Sequence, residues 1–313
     1  MGSESLPSVC VVAPEPLLMV EIEAGRSGSS PEVHVHPGGQ GLWIARMASS
    51  LGAQVTVCGP FGGETGTVAA QLAEAEDLRL LRTAGGSNGA TVQDRRSGDP
   101  EEVVTTPADM FDRHALDDLY STALATGLDA RVCILTGTEQ DIGVPADFYG
   151  RLTRDLAASG AQVVADLSGD AAAAVAQEAC TVIKISHEEL VEGGFAEDDS
   201  EKELRRAAER WIDDGPSAVV VSRADDPTLL VTADSAYSLT APPVTTVEHR
   251  GAGDSMTAGI AVGIARGLDL PDAVRLGAAA GALNVARHGL GTGRRDQIES
   301  FAGRVDVQEL DRS

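Results

Sequence analysis

The chain has 313 residues, 42% of them apolar and 23% charged, enough to bury a sizeable core in one large α/β domain or two ordinary ones. A formal net charge of −24 with 3% aromatic residues excludes a nucleic-acid binder that works through a basic surface or stacked bases. The acidic excess reads as a solubility device or an adaptation to a salt-rich habitat.

In chain order, residues 9–13 form a short β-rich apolar run closed by Pro14 and Pro16, and 18–22 read as a second strand. Glu32, Val33, His34, Val35 and His36 alternate with the period of a half-exposed strand. His36-Pro37-Gly38-Gly39-Gln40-Gly41 leads into a helix over 42–51, capped by Gly52. A buried-type strand at 54–58 ends in the Gly-rich run 59–66, and a helix follows over 67–75. Residues 90–93 and 102–105 read as two strands joined by a polar turn. From 117 the alternation is regular: helix to 125, strand 132–136, helix 146–159, strand 162–166, helix 170–178, strand 181–185. A helix from His187, a charged helix over 200–213 and strands at 218–222 and 228–232 complete it. This pattern predicts an α/β fold with a mostly parallel sheet covered on both faces. The strand regions near 21–36 and 90–105 stand outside the alternation and are expected to form a small β layer over the site, a lid. No repeat or low-complexity linker divides the chain, so 1–313 is expected to be one domain.

Cys10, Cys58, Cys133 and Cys180 show no Cys-x-x-Cys spacing and read as buried reduced thiols. The N-terminus lacks a basic region followed by an apolar run, and the longest apolar stretches are too short and Gly-rich to span a bilayer. A cytoplasmic protein with no membrane partner is expected.

One stretch carries a chemical signature of its own. Gly251-Ala252-Gly253-Asp254 opens a small-residue helix. The first turn of a helix has unpaired N–H groups and the positive end of the macrodipole, so it attracts anions. Glycine lets that backbone approach a ligand closely. A carboxylate beside an anion hole makes sense as a proton acceptor. The combination points to phosphoryl transfer, with Asp254 as base and the amides of Gly251, Ala252 and Gly253 holding the moving phosphate; helix capping alone is the plain alternative for Asp254.

The ordered set of segments resembles the ribokinase-like carbohydrate kinases, in the phosphofructokinase-B branch that includes 1-phosphofructokinase and tagatose-6-phosphate kinase. The segments are 36–41, 62–66, Asp166-Leu167-Ser168-Gly169, Lys184 to Leu190, 219–222 and 251–255, with the tail 284–293. The resemblance covers roughly residues 9–307. It implies a three-layer α/β/α ribokinase-like fold with a β-sheet lid made by strands from about 17–36 and 88–106. It also implies phosphate transfer from ATP to a sugar hydroxyl with Mg²⁺, potassium as a possible second ion near 287–293, and a homodimer completed through the lid.

Carried over residue by residue, Asp254 is the expected base and the amides of 251–253 the anion hole. Gly38 and Gly39, with Gln40, Trp43 and Met19, occupy the expected sugar side. Lys184, Ser186, Ser222, Arg223 and Asn284 fall on the nucleotide side. Glu189 matches the glutamate of an Asn-x-x-Glu motif that organises magnesium through water, with Ser186 in place of the Asn. Asp166 ends a strand where open α/β sheets bind ligands; ordering metal-bound water and capping the next helix are its two readings.

Four departures concern substrate and nucleotide. The family's Asn-Pro-x-x-Asp is Glu15-Pro16-Leu17-Leu18-Met19 here, and Gly-Gly-Lys-Gly-x-Asn ends in Gln40, Gly41, Leu42 and Trp43. The arginine that grips a sugar phosphate falls at Gly89, and Ser-x-Gly-x-x-Gly becomes Ser222-Arg223-Ala224-Asp225-Asp226-Pro227. Losing the Lys and the Arg argues against fructose- and tagatose-phosphate substrates, because each charge-assisted bond contributes about 1.5–3 kcal/mol. Arg223, His249 and Arg250 are candidates to replace lost contacts. Trp43 offers a stacking face or a core aromatic. Two other readings therefore stand beside a sugar kinase: a nucleoside kinase of the same fold, and a binding or regulatory protein with weak turnover.

Overall fold

The computed structural model describes residues 6–25, 30–98, 100–245, 250–287 and 289–311. His249 and His288 lie outside them. The chain runs β1 (Ser8–Val12), β2 (Leu17–Glu23), β3 (Glu32–Gly38), α1 (Gln40–Ser50), β4 (Gln54–Gly62), α2 (Gly63–Ala75) and β5 (Arg79–Ser87). It continues through β6 (Ala90–Asp94), β7 (Glu101–Thr106), α3 (Arg113–Asp129), β8 (Val132–Thr136), α4 (Ala146–Ala158), β9 (Gln162–Asp166) and α5 (Gly169–Ala176). Next come β10 (Val182–Ser186), α6 (His187–Glu192), α7 (Glu201–Asp214), β11 (Ala218–Arg223), β12 (Asp226–Thr232) and β13 (Ala236–Thr240). Helices α8 (Ala252–Ala265), α9 (Leu270–Val285) and α10 (Arg295–Ala302) precede the last strand, β14 (Asp306–Leu310).

Ten strands form one sheet in the order β14-β13-β12-β11-β10-β9-β8-β1-β4-β5. From β11 to β5 every neighbouring pair is parallel, whereas β12, β13 and β14 add an antiparallel flank. The central strands are apolar throughout because both faces are covered. Period-2 alternation divides them: Val9, Val11, Ile134, Val164 and Val220 pack under α1, α8 and α9. Cys10, Val12, Leu135, Ile183 and Val221 pack under α3, α4 and α7 on the other face. This is the three-layer α/β/α arrangement that the sequence predicts. Helices α8 and α9 cross so closely that a Cβ on Gly259 would stand 2.6 Å from the Gly277 Cα. All four cysteines are free and buried, and no helix among the described residues is long and apolar enough to cross a membrane.

A separate sheet has the order β3-β2-β6-β7 and comes from the two regions that broke the alternation. Its two faces differ sharply. Met19, Glu21, His34, His36, Thr91 and Gln93 share one face by register, and Val20, Ile22, Val33, Val35, Val92 and Val104 share the other.

Strands β5, β13 and β14 are absent from the sequence reading, and α2 and α3 begin four residues earlier than the patterns suggest. In α3 the Asp112 side chain accepts from the Ala115 N–H and sets the true start.

Candidate active site

The parallel register of β9 and β10 places Lys184 opposite Asp166, and strand alternation turns both toward α8. Lys184 Nζ donates to Asp166 Oδ1 at 3.1 Å and Oδ2 at 3.4 Å. Thr257 Oγ1, one turn into α8, donates to Asp166 Oδ2 at 2.5 Å. Lys184 is 5% exposed and Asp166 2%. Burial alone would push the ammonium pKa down, but Asp166, Glu189 and Asp254 outweigh it and hold Lys184 above the ordinary lysine value. Lys184 therefore stays charged beneath the start of α8. Asp166 does not cap the following helix: Ser168 is the N-cap of α5, with no side-chain cap bond.

The turn above this pair has the form expected of it. Gly251 is the N-cap of α8 and takes φ +75°, left-handed backbone that suits glycine. Ala252, Gly253 and Asp254 are the first three helical residues. A Cβ on Gly253 would lie 2.7 Å from Lys184 Nζ, so the lysine charge sits directly behind the first-turn amides. Asn284 braces the turn. It is fully buried, donating to the Arg250 carbonyl at 2.9 Å and accepting from the Gly291 N–H at 3.0 Å. Asp254 does not cap α8, which has no side-chain cap bond. Burial first, then the Asp166 charge, pushes its carboxyl up to about 7 against the opposing pull of Lys184.

Asp254 lines a cleft of about 420 Å³ at the C-terminal ends of the parallel strands. Gly39, Gln40, Trp43, Asp166 and Glu189 line it too, so most of the expected sugar and metal residues converge here. Gly39 has φ +92°, and a Cβ there would stand 2.4 Å from the Glu15 carbonyl oxygen. Gln40 is spent on the scaffold: its Oε1 accepts from Gly137 N at 2.8 Å and its Nε2 donates to the Asp166 carbonyl at 3.4 Å.

Met19 and Gly38 fall elsewhere. Met19, Trp43 and Leu290 form a small apolar cluster, and Met19 packs on the bare Gly38 backbone. This cluster lies between the cleft and a neighbouring cavity of about 410 Å³; Trp43 touches both and Met19 only the second. Gly89 has no space for an arginine, since a Cβ would stand 2.6 Å from the Thr106 carbonyl oxygen.

On the metal and nucleotide side, Glu189 and Ser186 form a capping box at the start of α6. Glu189 Oε2 accepts from the Ser186 N–H and hydroxyl, each at 2.8 Å. Among the described residues no group of three His, Cys, Asp or Glu is arranged to hold a metal. A hydrated Mg²⁺ resting on one or two carboxylates and phosphate oxygens fits this donor set; an all-protein cage does not. Ser222 and Arg223 lie at the β11–β12 turn, where Arg223 pairs with Asp226 at 3.6 Å and Glu201 at 3.9 Å. Ala224, in the position of a family glycine, takes φ +48°.

Two features escaped the sequence reading. Glu15 is 6% exposed and lines the cleft, with Oε2 accepting from the Glu139 N–H at 2.6 Å and the Gln140 N–H at 3.4 Å. Its buried Oε1 has no hydrogen-bond partner, nor has the Tyr149 hydroxyl, whose pKa is raised first by burial and then by the Glu15 charge. A buried acceptor without a partner costs about 1–3 kcal/mol, more when charged. The available signal was an acid bracketed by Pro14 and Pro16 at the end of the first strand. The second feature is the link from Arg250, itself a candidate from the sequence, to the small sheet: its Nη2 donates to Gln93 Oε1 on β6 at 3.0 Å, tying that sheet to the glycine turn.

A model of the pfkB family carbohydrate kinases matches residues 16–297. The chain belongs to the pfkB carbohydrate kinase family. It is 31% identical over 272 residues to the ATP-dependent 6-phosphofructokinase isozyme 2 of Mycobacterium tuberculosis, covering 85% of this chain and 78% of that protein. Against the 1-phosphofructokinase of Bacillus subtilis it is 26% identical over 278 residues, 88% of this chain and 89% of the relative. Phosphofructokinase-2 from Escherichia coli, solved with potassium, superposes with a TM-score of 0.83 at 22% identity over 96% of this chain and 99% of that one. Ribokinase from Arabidopsis thaliana gives 0.71 at 18% identity, over 95% and 99%. These likenesses establish the ribokinase-like fold, and family membership makes the chain a carbohydrate kinase that phosphorylates an alcohol group.

Proposed function

We propose that this pfkB kinase transfers the terminal phosphoryl group of ATP to a hydroxyl of a sugar or sugar-like acceptor, with Asp254 as general base. The observation that carries the reading is Asp254 itself. It stands in the cleft at the start of α8, its carboxyl pushed to about 7, where a base combines availability with proton affinity. The acceptor oxygen forms its bond to the terminal phosphorus as the bond from that phosphorus to the bridging oxygen of ADP breaks. The hydroxyl proton passes to Asp254, and the bonding pair leaves with ADP. The amides of Gly251, Ala252 and Gly253 hold the transferring oxygens, with the Lys184 charge behind them.

Glu189 and Asp166 would hold the waters of Mg²⁺, which when bound neutralises phosphate charge. The nucleotide lies toward Ser186, Ser222 and Arg223, with Asn284 and Lys184 acting from behind the turn. Residue 288 of the loop expected to hold potassium lies outside the described residues. Core and small sheet act as one cytoplasmic kinase unit, the sheet closing over the cleft as a lid. Its outer face carries Val33 at 62% exposure, Val35 at 39% and Val104 at 47%. A second copy covering that face makes the working form a homodimer. The Escherichia coli relative is also known in a tetrameric inhibited form.

A coupled ADP-release screen against free sugars, sugar phosphates and nucleosides tests the reading. Release above the ATPase background with a sugar class is expected, falling about 10²–10⁴-fold in Asp254→Asn. Turnover by the variant within about two-fold of wild type would remove Asp254 from the role. Neither alternative has a specific observation in its favour: Trp43, which would stack a base, is 8% exposed and packs on Met19 and Leu290.

A further inference from the structure

The acceptor end of the cleft carries an acid that the phosphoryl-transfer chemistry leaves unused. Glu15 sits between β1 and β2 with one carboxylate oxygen fixed by two backbone N–H groups and the other unpartnered. Glu139, Asp166, Glu189 and Asp254 line the same cleft, and among the described residues no Arg or Lys side chain does. The nearby cations are committed elsewhere. Lys184 is held by Asp166. The Arg46 guanidinium is bonded to Glu76 and to the Leu290 and Pro37 carbonyls. The Gly89 position cannot carry a side chain without backbone movement. A phosphate monoester would enter a field of like charge with no donor fork to receive it. A neutral or cationic molecule rich in hydrogen-bond donors meets the complementary surface. The cleft volume of about 420 Å³ suits a small molecule.

We infer that the acceptor is an unphosphorylated polyol, one donor group of which binds the Glu15 carboxylate, so that Glu15 is a specificity-determining residue. This inference rests on the kinase reading above. It also separates the chain from the phosphofructokinases to which it is similar. Gln at position 15 would keep an acceptor for the two amides and could place a donor where the substrate also donates.

The test uses the full chain with Mg-ATP. Fructose, ribose, inositol and glucosamine are compared with fructose 6-phosphate and fructose 1-phosphate. At least one unphosphorylated compound should exceed both phosphates by about ten-fold or more in kcat/KM. Glu15→Gln should raise the KM for that compound by about ten-fold while kcat stays within about three-fold and the melting temperature is nearly unchanged. Preference for a sugar phosphate overturns the inference, as does an unchanged KM. A joint fall in kcat and melting temperature assigns Glu15 to structure alone and also overturns it. Glu15→Asp, which keeps the charge but withdraws it, replaces the Gln variant if that one does not fold.

If no compound is turned over, the kinase reading fails separately. Calorimetry with the same panel and a non-hydrolysable Mg-ATP analogue then decides: binding of an unphosphorylated compound upholds the acceptor class. Binding of a sugar phosphate, or of nothing in the panel, overturns it.

Discussion

Asp254 occupies a position where its own charge is unfavourable. Its folded value of about 7 lies above the ordinary aspartate value, so the native state binds an extra proton between those two pH values. Stability from this residue is therefore lost as pH rises from about 4 to 7. Asp254→Asn should melt higher than wild type at pH 8 and close the gap near pH 4, as metal-free thermal scans would show. Wild-type kcat/KM should fall as pH drops through about 7, because the protonated carboxyl cannot take the hydroxyl proton. Lys184→Met would strand the buried Asp166 charge and is expected to lower stability by about 3–5 kcal/mol, read from denaturant unfolding. The turn at 251–254 was legible because its parts are contiguous: glycines, helix start and acid follow one another in sequence. Glu15 was not, since its carboxylate is fixed by amides more than a hundred positions away.

The long periodic elements of the core could be read from pattern, and β8 and β9 match it to the residue. The flanking strands could not. β14 reads Asp-Val-Gln-Glu-Leu, half-exposed and polar, and its strand character comes from pairing with β13. The small sheet was visible as two segments that broke the α/β rhythm. Its link to the glycine turn joins Arg250 and Gln93, 157 positions apart and beyond the reach of any local pattern. Gln93→Ala should loosen that link and raise acceptor KM several-fold, about 1 kcal/mol, with a smaller effect on kcat in steady-state kinetics.

At the scale of the molecule, the valine face of the small sheet sets the expected assembly. Light scattering should give about twice the 32.3 kDa chain mass at micromolar concentration. Val35→Glu, which places charge in the centre of that face, should shift it to the monomer. Alternation in β3 separated the two faces of that strand in the sequence, but only register shows which residues of β2, β6 and β7 join each face.

The four cysteines make the chain unusually convenient for optical work. Each is sealed in the core, and burial pushes the Cys180 thiol up to about 12, far from the thiolate that maleimides attack. A single cysteine introduced at Val103, 58% exposed on β7, would therefore take a fluorophore without background labelling. Its emission would report sheet movement in real time as ATP or an acceptor arrives.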